Sequence, residues 1–215
     1  MLKSFARLLA VGALATPMLA QAVVYQFNAS LDSSNEVGTG SVATATGVAT
    51  LFYDDIGTAG FGDDVFDFSM SVFGLTGGTV AGTAASAYHI HGAALPTENA
   101  PVRVALDASP FESLNAGSTL LVGGSGVAAP SIPATPASAV NGGYPAMSFL
   151  AMLQGGLAYV NVHTALNPGG AVRGQLVQVA AVAAIPEPET YALLLAGLGV
   201  VGGVVARRRK AAGSR

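Results

Sequence analysis

Val65-Phe66-Asp67-Phe68-Ser69-Met70-Ser71-Val72-Phe73 decides the fold class. In an extended chain Phe66, Phe68, Met70 and Val72 share one face, and Val65, Asp67, Ser69, Ser71 and Phe73 share the other. One large apolar face backed by a smaller, more polar one is the pattern of a half-buried antiparallel strand. Outward from it, Val24–Leu31 alternates in the same way. Val48–Tyr53, Tyr88–His91, Val102–Leu106, Ala158–Thr164 and Val172–Val179 are rich in branched and aromatic residues. Glycine clusters separate these runs at the spacing of an antiparallel, all-β sandwich or small barrel.

Two helical turns are expected between strands. Ser109-Pro110-Phe111-Glu112 has a capping-box pattern with Gly117 as a stop. Ser148–Gln154 is apolar and ends at Gly155-Gly156. Gly123–Pro145, rich in Gly, Ala, Ser and Pro, reads as a flexible surface insertion.

The ends of the 215-residue chain read as targeting segments. Residues 1–22 form an N-terminal signal helix with a basic start at Lys3 and Arg7 and an apolar run at Leu8–Leu14. Ala20 and Ala22 supply the small residues that signal peptidase needs before Val23. Residues 181–190 form a linker that contains Pro186-Glu187-Pro188. Tyr191–Ala206 carries no charge and is expected as a C-terminal transmembrane helix. At 1.5 Å per residue it reaches about 24 Å, short of a hydrocarbon layer of about 30 Å. Arg207, Arg208, Arg209 and Lys210 open a basic tail over residues 207–215, expected to stay cytoplasmic.

The order Pro-Glu-Pro, short glycine-rich helix, basic cluster resembles the PEP-CTERM sorting signal of exopolysaccharide-producing bacteria. That resemblance implies an exosortase-type membrane enzyme that removes the helix. The chain would then be an inner-membrane precursor, later placed on the cell surface or in the extracellular polysaccharide matrix, or held by a surface protein.

Without its ends the domain, residues 23–180, holds ten acidic residues against Arg103 and Arg173. Phosphate backbones need Lys and Arg, so nucleic acid is excluded as a partner. There is no cysteine, which removes disulfides, thiol catalysis and Cys-ligated zinc.

All three histidines lie in two motifs, Tyr88-His89-Ile90-His91-Gly92 and Tyr159-Val160-Asn161-Val162-His163-Thr164. The second leads into Asn167-Pro168-Gly169-Gly170-Ala171-Val172-Arg173-Gly174-Gln175. With Ser34-Asn35-Glu36-Val37, these motifs resemble the CHRD domain over about residues 25–178. The family implies an immunoglobulin-like β-sandwich and no settled activity. Ala171 stands where the family usually has an acidic residue, so a partner for Arg173 is expected to be missing.

His89 and His91 point to one face of a strand, and His163 shares a face with Tyr159 and Asn161. On neighbouring strands the three imidazoles would converge, and three nitrogen ligands with an open position suit Zn²⁺ or Cu²⁺. The competing reading has them hydrogen-bonded to backbone, Asn35, Glu36 or Asn161. A second candidate is Asp54, Asp55, Asp63 and Asp64, which could hold Ca²⁺ or simply solvate a hairpin.

Tyr88-His89-Ile90-His91-Gly92 also resembles the histidine strand of copper–zinc superoxide dismutases, whose site needs more histidines than this chain has and a disulfide it cannot form. No Gly-x-Ser-x-Gly elbow points to a hydrolase. The sequence therefore leads to a non-enzymatic exported module with a structural or binding role. The alternative is a metal-binding extracellular protein with redox or metal-handling activity.

Overall fold

The computed structural model describes residues 23–38, 44–56, 63–77, 87–183 and 188–212. Its strands are β1 (Val23–Asp32), β2 (Thr46–Asp55), β3 (Val65–Phe73), β4 (Tyr88–His91), β5 (Val102–Ala105) and β6 (Glu112–Ala116). They continue with β7 (Thr119–Ala128), β8 (Ser131–Ile132) and β9 (Met147–Ser148). Helix α1 (Phe149–Gln154) precedes β10 (Tyr159–Val162), β11 (Val172–Gln175) and β12 (Val177–Ala183), and α2 (Pro188–Ala212) follows. The expected all-β antiparallel architecture is present.

The main sheet runs β5-β4-β10-β11-β1-β2-β3-β7-β6, with β12 beside the first part of β1. Its centre is β1, which pairs along its whole length with β2. On its other side β12 takes Val23–Asn28 and β11 takes Asp32. The two layers of the expected sandwich are thus wings of one curled sheet. Phe27, Leu51, Phe66, Phe68, Met70 and Leu120 come from one wing, and Ile90, Val160, Val162 and Val172 from the other. They meet in a single core, each large side chain contributing about 1.5–3 kcal/mol by leaving water.

Helix α1 closes this core with Phe149, Met152 and Leu153. The Ser148 side chain accepts from Ala151 N at 3.1 Å, and Gly156 at φ +63° ends the turn, as its sequence predicts.

The other expected helix does not form. Glu112–Ala116 is the edge strand β6, paired with β7 from Glu112↔Gly123 to Ala116↔Thr119. Phe111 is drawn into the core, 6.2 Å from both Phe66 and Phe68. Gly117, at φ +65°, then opens a two-residue hairpin loop, a position that favours glycine. Tertiary packing of one aromatic ring overrides the local capping pattern.

Gly123–Pro145 is not a flexible insertion either. Its first part belongs to β7, where a Cβ on Gly124 would sit 2.5 Å from the Phe111 ring. Next β8 pairs with β9, and Thr135 and Tyr144 exchange backbone hydrogen bonds of 2.9 and 2.8 Å. Val127, Ile132, Thr135 and Asn141 are buried. The small residues serve close packing here rather than mobility.

The domain's last strand runs to Ala183, four residues past the expected end at Val179. Helix α2 contains the expected apolar stretch but begins at Pro188, a residue suited to a first helical turn, and continues through Arg207–Lys210 to Ala212. Among the described residues no helix is long and apolar enough to cross a membrane. The signal segment with Ala20 and Ala22, and Pro186 and Glu187, lie outside the described residues.

Candidate metal centre

Strands β4, β10 and β11 send their even-numbered residues to the core, so their odd-numbered residues line the opposite face. That face carries His89 and His91, Tyr159 and Asn161, and Arg173 and Gln175. The register sets Tyr159 against His91 and Gln175, and Asn161 against His89 and Arg173. His163 follows β10 directly, held by its N–H donating to Ala87 O at 2.8 Å.

The three histidines converge. His89 and His163 stack at 4.8 Å and 9°, and His89 lies 4.2 Å from His91 between ring centroids. Their ligand nitrogens all fall within 4.8 Å of one another. His91 is hydrogen-bonded through Nδ1 to Ala100 O at 2.6 Å, and His163 through Nδ1 to Pro168 O at 2.9 Å. A carbonyl only accepts, so both Nδ1 atoms carry the proton and both Nε2 atoms present a lone pair. His91 Nε2, His163 Nε2 and His89 Nδ1 are buried without a hydrogen-bond partner.

The backbone holds two of the rings, yet their inner nitrogens are left over. Asn35 reaches no histidine through the bonds it makes; its Nδ2 donates to Ser30 O and Arg173 O.

Burial keeps the cluster neutral. It pushes the His89 pKa down to about 2 and that of His91 to about 4, and His163 is lowered as well. For His89, its two charged-form neighbours reinforce the effect of burial. Neutral imidazole is the form that ligates metals.

A second layer fixes the first. Tyr159 stacks on His91 at 4.6 Å and 7°, and its hydroxyl accepts from Ala100 N at 3.2 Å, on the same residue whose carbonyl holds His91. The Arg173 guanidinium lies 3.4 Å from the Tyr159 ring centroid, close enough for a cation–π contact.

Arg173 does not lack partners, contrary to what Ala171 suggested. It donates to Glu98 O at 2.8 Å, Asn99 Oδ1 at 3.0 Å and Leu95 O at 3.4 Å, and Glu36 supplies the opposite charge. Gln175 binds Ala94 O and Gly156 O, and Arg103 binds Gly92 O and Thr135 Oγ1. Both arginines of the domain thus pin the loop 92–101 across the polar face as a roof.

Glu36 is the residue whose role the sequence did not reveal. Its carboxyl lies against Gly170, where a Cβ would come within 2.3 Å of it. Burial raises its pKa to about 7, against the pull of Arg173 and a hydrogen bond from Asn161. Glu36 Oε1, Asn161 Oδ1 and Gln175 Oε1 are also buried and unpartnered. Six of the eight such side-chain atoms among the described residues belong to this one face. Buried polar groups rarely go unpaired, so these atoms call for partners from outside the chain, water included.

The aspartates are arranged differently. Asp64 is buried and accepts from the Tyr53 hydroxyl at 2.6 Å, while Asp63 is exposed. Alternation sends Asp54 to the side of β2 opposite Tyr53, away from Asp64. Asp54 and Asp55 are half-buried at the end of β2. Among the described residues the histidines form the one group of three or more metal-ligating side chains that converge. Asp67 binds Gly126 N at 2.7 Å beside the bulge between β3 and β7.

The pH dependence of stability follows from these shifts. Unfolded histidine takes up a proton near pH 6.5, whereas His89 and His91 do so only well below it and His163 is shifted the same way, so unfolding consumes protons below that pH. Stability of the metal-free protein must fall as pH falls from 6.5 toward 4, and His89 extends the loss toward 2. Glu36 acts oppositely between about 4.5 and 7, because its folded form keeps a proton that the unfolded chain releases. It offsets one of the two histidines His89 and His91, so at least one net proton remains. The expected slope between pH 6.5 and 4.5 is positive with pH, at about 1.4 kcal/mol per unit for each net proton. Urea midpoints measured across that range check it, and a flat or opposite trend contradicts a buried neutral trio.

The CHRD domain profile matches residues 27–176, and the PEP-CTERM protein-sorting motif matches residues 184–210. No curated protein and no solved structure matches the chain.

Proposed function

The chain belongs to the CHRD-domain family, and we propose that its domain is a transition-metal-binding module working outside the cell. The sorting motif makes it an exported protein handled by an exosortase-type membrane enzyme. Two facts carry the metal reading: one ligand nitrogen from each histidine falls within 4.8 Å of the others, and each histidine has a ring nitrogen that is buried and unpartnered. Leaving a polar atom buried and unpaired costs about 1–3 kcal/mol, so three together are hard to explain without a ligand.

The donor set fits Zn²⁺ or Cu²⁺. Both accept imidazole nitrogen, whereas Ca²⁺ and Mg²⁺ prefer oxygen. An ion at about 2.0–2.1 Å from each nitrogen needs the rings somewhat closer than they stand, and loading draws them in. The Nδ1–carbonyl bonds of His91 and His163 supply the outer support that metal-bound histidines require.

The exported protein then holds or hands over a metal ion at the cell surface or in the surrounding matrix, after removal of its tail. A purely structural module is the second reading, favoured by the hydrogen bonds that tie His91 and His163 to the backbone.

Titration of the metal-free protein with Zn²⁺ against a chromophoric chelator separates the two. We expect one ion per chain, lost in the His89→Ala/His91→Ala double variant. Equal weak uptake by both proteins supports the structural module instead.

A further inference from the structure

We propose that the metal centre is open: its fourth position holds a water molecule gripped by Glu36 and Asn161, and small anions entering from the adjoining cleft displace it. This rests on the metal reading above and adds the chemistry of the remaining position.

An ion bound by the trio accounts for the lone pairs of His89 Nδ1, His91 Nε2 and His163 Nε2. It leaves Glu36 Oε1, Asn161 Oδ1 and Gln175 Oε1 in the same polar layer; Gln175 is registered against Tyr159, whereas Asn161 is registered against His89 and hydrogen-bonded to Glu36. The Asn161 oxygen and an ionised Glu36 carboxylate only accept, so each needs an O–H or N–H. A water on the ion carries two O–H groups and no other demand. Its two protons can serve Glu36 Oε1 and Asn161 Oδ1, the two orphan oxygens of the linked Glu36–Asn161 pair beside His89.

The placement agrees. Asn161 is the cross-strand partner of His89 and a hydrogen-bond partner of Glu36. Gly170 leaves room for the Glu36 carboxyl, and the same turn offers Pro168 O to His163. Three neutral ligands and an open fourth position are also the coordination pattern of reactive rather than closed zinc sites.

A route to solvent adjoins the layer. A cleft of about 490 Å³ is lined by Ser34, Asn35, Glu36, Thr97, Arg173 and Gln175, among others. Three of these residues belong to the polar layer itself. The ligand class follows from charge. A dication with three neutral imidazoles keeps its full charge and favours an anion in the fourth position. Around Glu36 the charged or titratable groups identified are Arg173 and Tyr159, with Asn161 as the neutral neighbour. An ionised Glu36 accepts from water but repels an anion, so it sets the balance between the two.

The test uses the full-length protein loaded with cobalt(II), whose visible spectrum reports its coordination, and azide as the probe anion. We expect azide to change the spectrum of the wild type. We expect Glu36→Gln, which keeps the shape and removes the repulsion, to bind azide about tenfold more tightly, the scale of one charged hydrogen bond. Cobalt bound by the histidines but indifferent to azide overturns the open position and leaves the metal site standing. Equal azide affinity in both proteins removes Glu36 from that position. Failure to bind cobalt at all overturns this inference together with the metal reading.

Discussion

His163→Ala is expected to weaken Zn²⁺ binding by on the order of 10²–10³-fold while the domain stays folded. Structural zinc sites with four ligands are worth about 10–16 kcal/mol, so one ligand carries roughly 3 kcal/mol or more. The fold survives because His163 sits beyond the end of β10, is only half-buried, and is fixed to the sheet mainly through its backbone N–H to Ala87 O. Its side chain spans from the Asn167-Pro168-Gly169-Gly170 turn to the other two rings, and alanine loses that span alone. Competition titration and thermal melting of the same preparation read both quantities. Unchanged zinc affinity would remove His163 from the site. Loss of folding would mean that the ring is chiefly structural.

Arg173→Met should have the largest effect on stability. Arg173 is 1% exposed, the largest of the fully buried side chains. Methionine fills the space but makes none of its bonds. Glu98 O, Leu95 O and Asn99 Oδ1 lose their donors, Tyr159 loses the cation over its ring, and Glu36 loses its counter-charge. Breaking a buried charged set by removing one member costs about 3–5 kcal/mol. In a chain of this size that lowers the melting temperature by roughly 10 °C. Because the roof over residues 92–101 hangs on these bonds, the loss should extend to metal retention as His91 loses the Ala100 carbonyl. Arg173→Lys keeps the charge without the planar fork and should recover only part of the stability. A methionine variant as stable as the wild type would show that the roof is held by its other contacts.

Period-two patterns made much of the fold legible. Val65–Phe73 became β3 with the expected faces, because large apolar and small polar residues alternate there without interruption. The histidine strands were legible for the same reason, and the registers Tyr159↔His91 and Asn161↔His89 make them neighbours. What failed was local reading of segments whose role is set at long range. Ser109–Glu112 looks like a helix start until Phe111 finds Phe66 and Phe68, more than 40 residues earlier in the chain. Gly123–Pro145 looks like a linker because small residues signal mobility and close packing alike.

Glu36 was quoted within a motif, yet nothing in the sequence says that its carboxyl is buried. That depends on Gly170 leaving room for it. The roof formed by residues 92–101 gave no signal either, since backbone carbonyls have no sequence signature. Its trace lay only in two lone arginines in an otherwise acidic domain.

The central claim is that His89, His91 and His163 hold one metal ion. X-ray absorption at the metal edge, on protein loaded with one equivalent of Zn²⁺, tests it most directly. The account predicts a first shell of three nitrogens and one oxygen at about 2.0–2.1 Å, with the outer-shell scattering of three imidazole rings. A shell of oxygens alone, or a folded protein that leaves the zinc in solution, would contradict it.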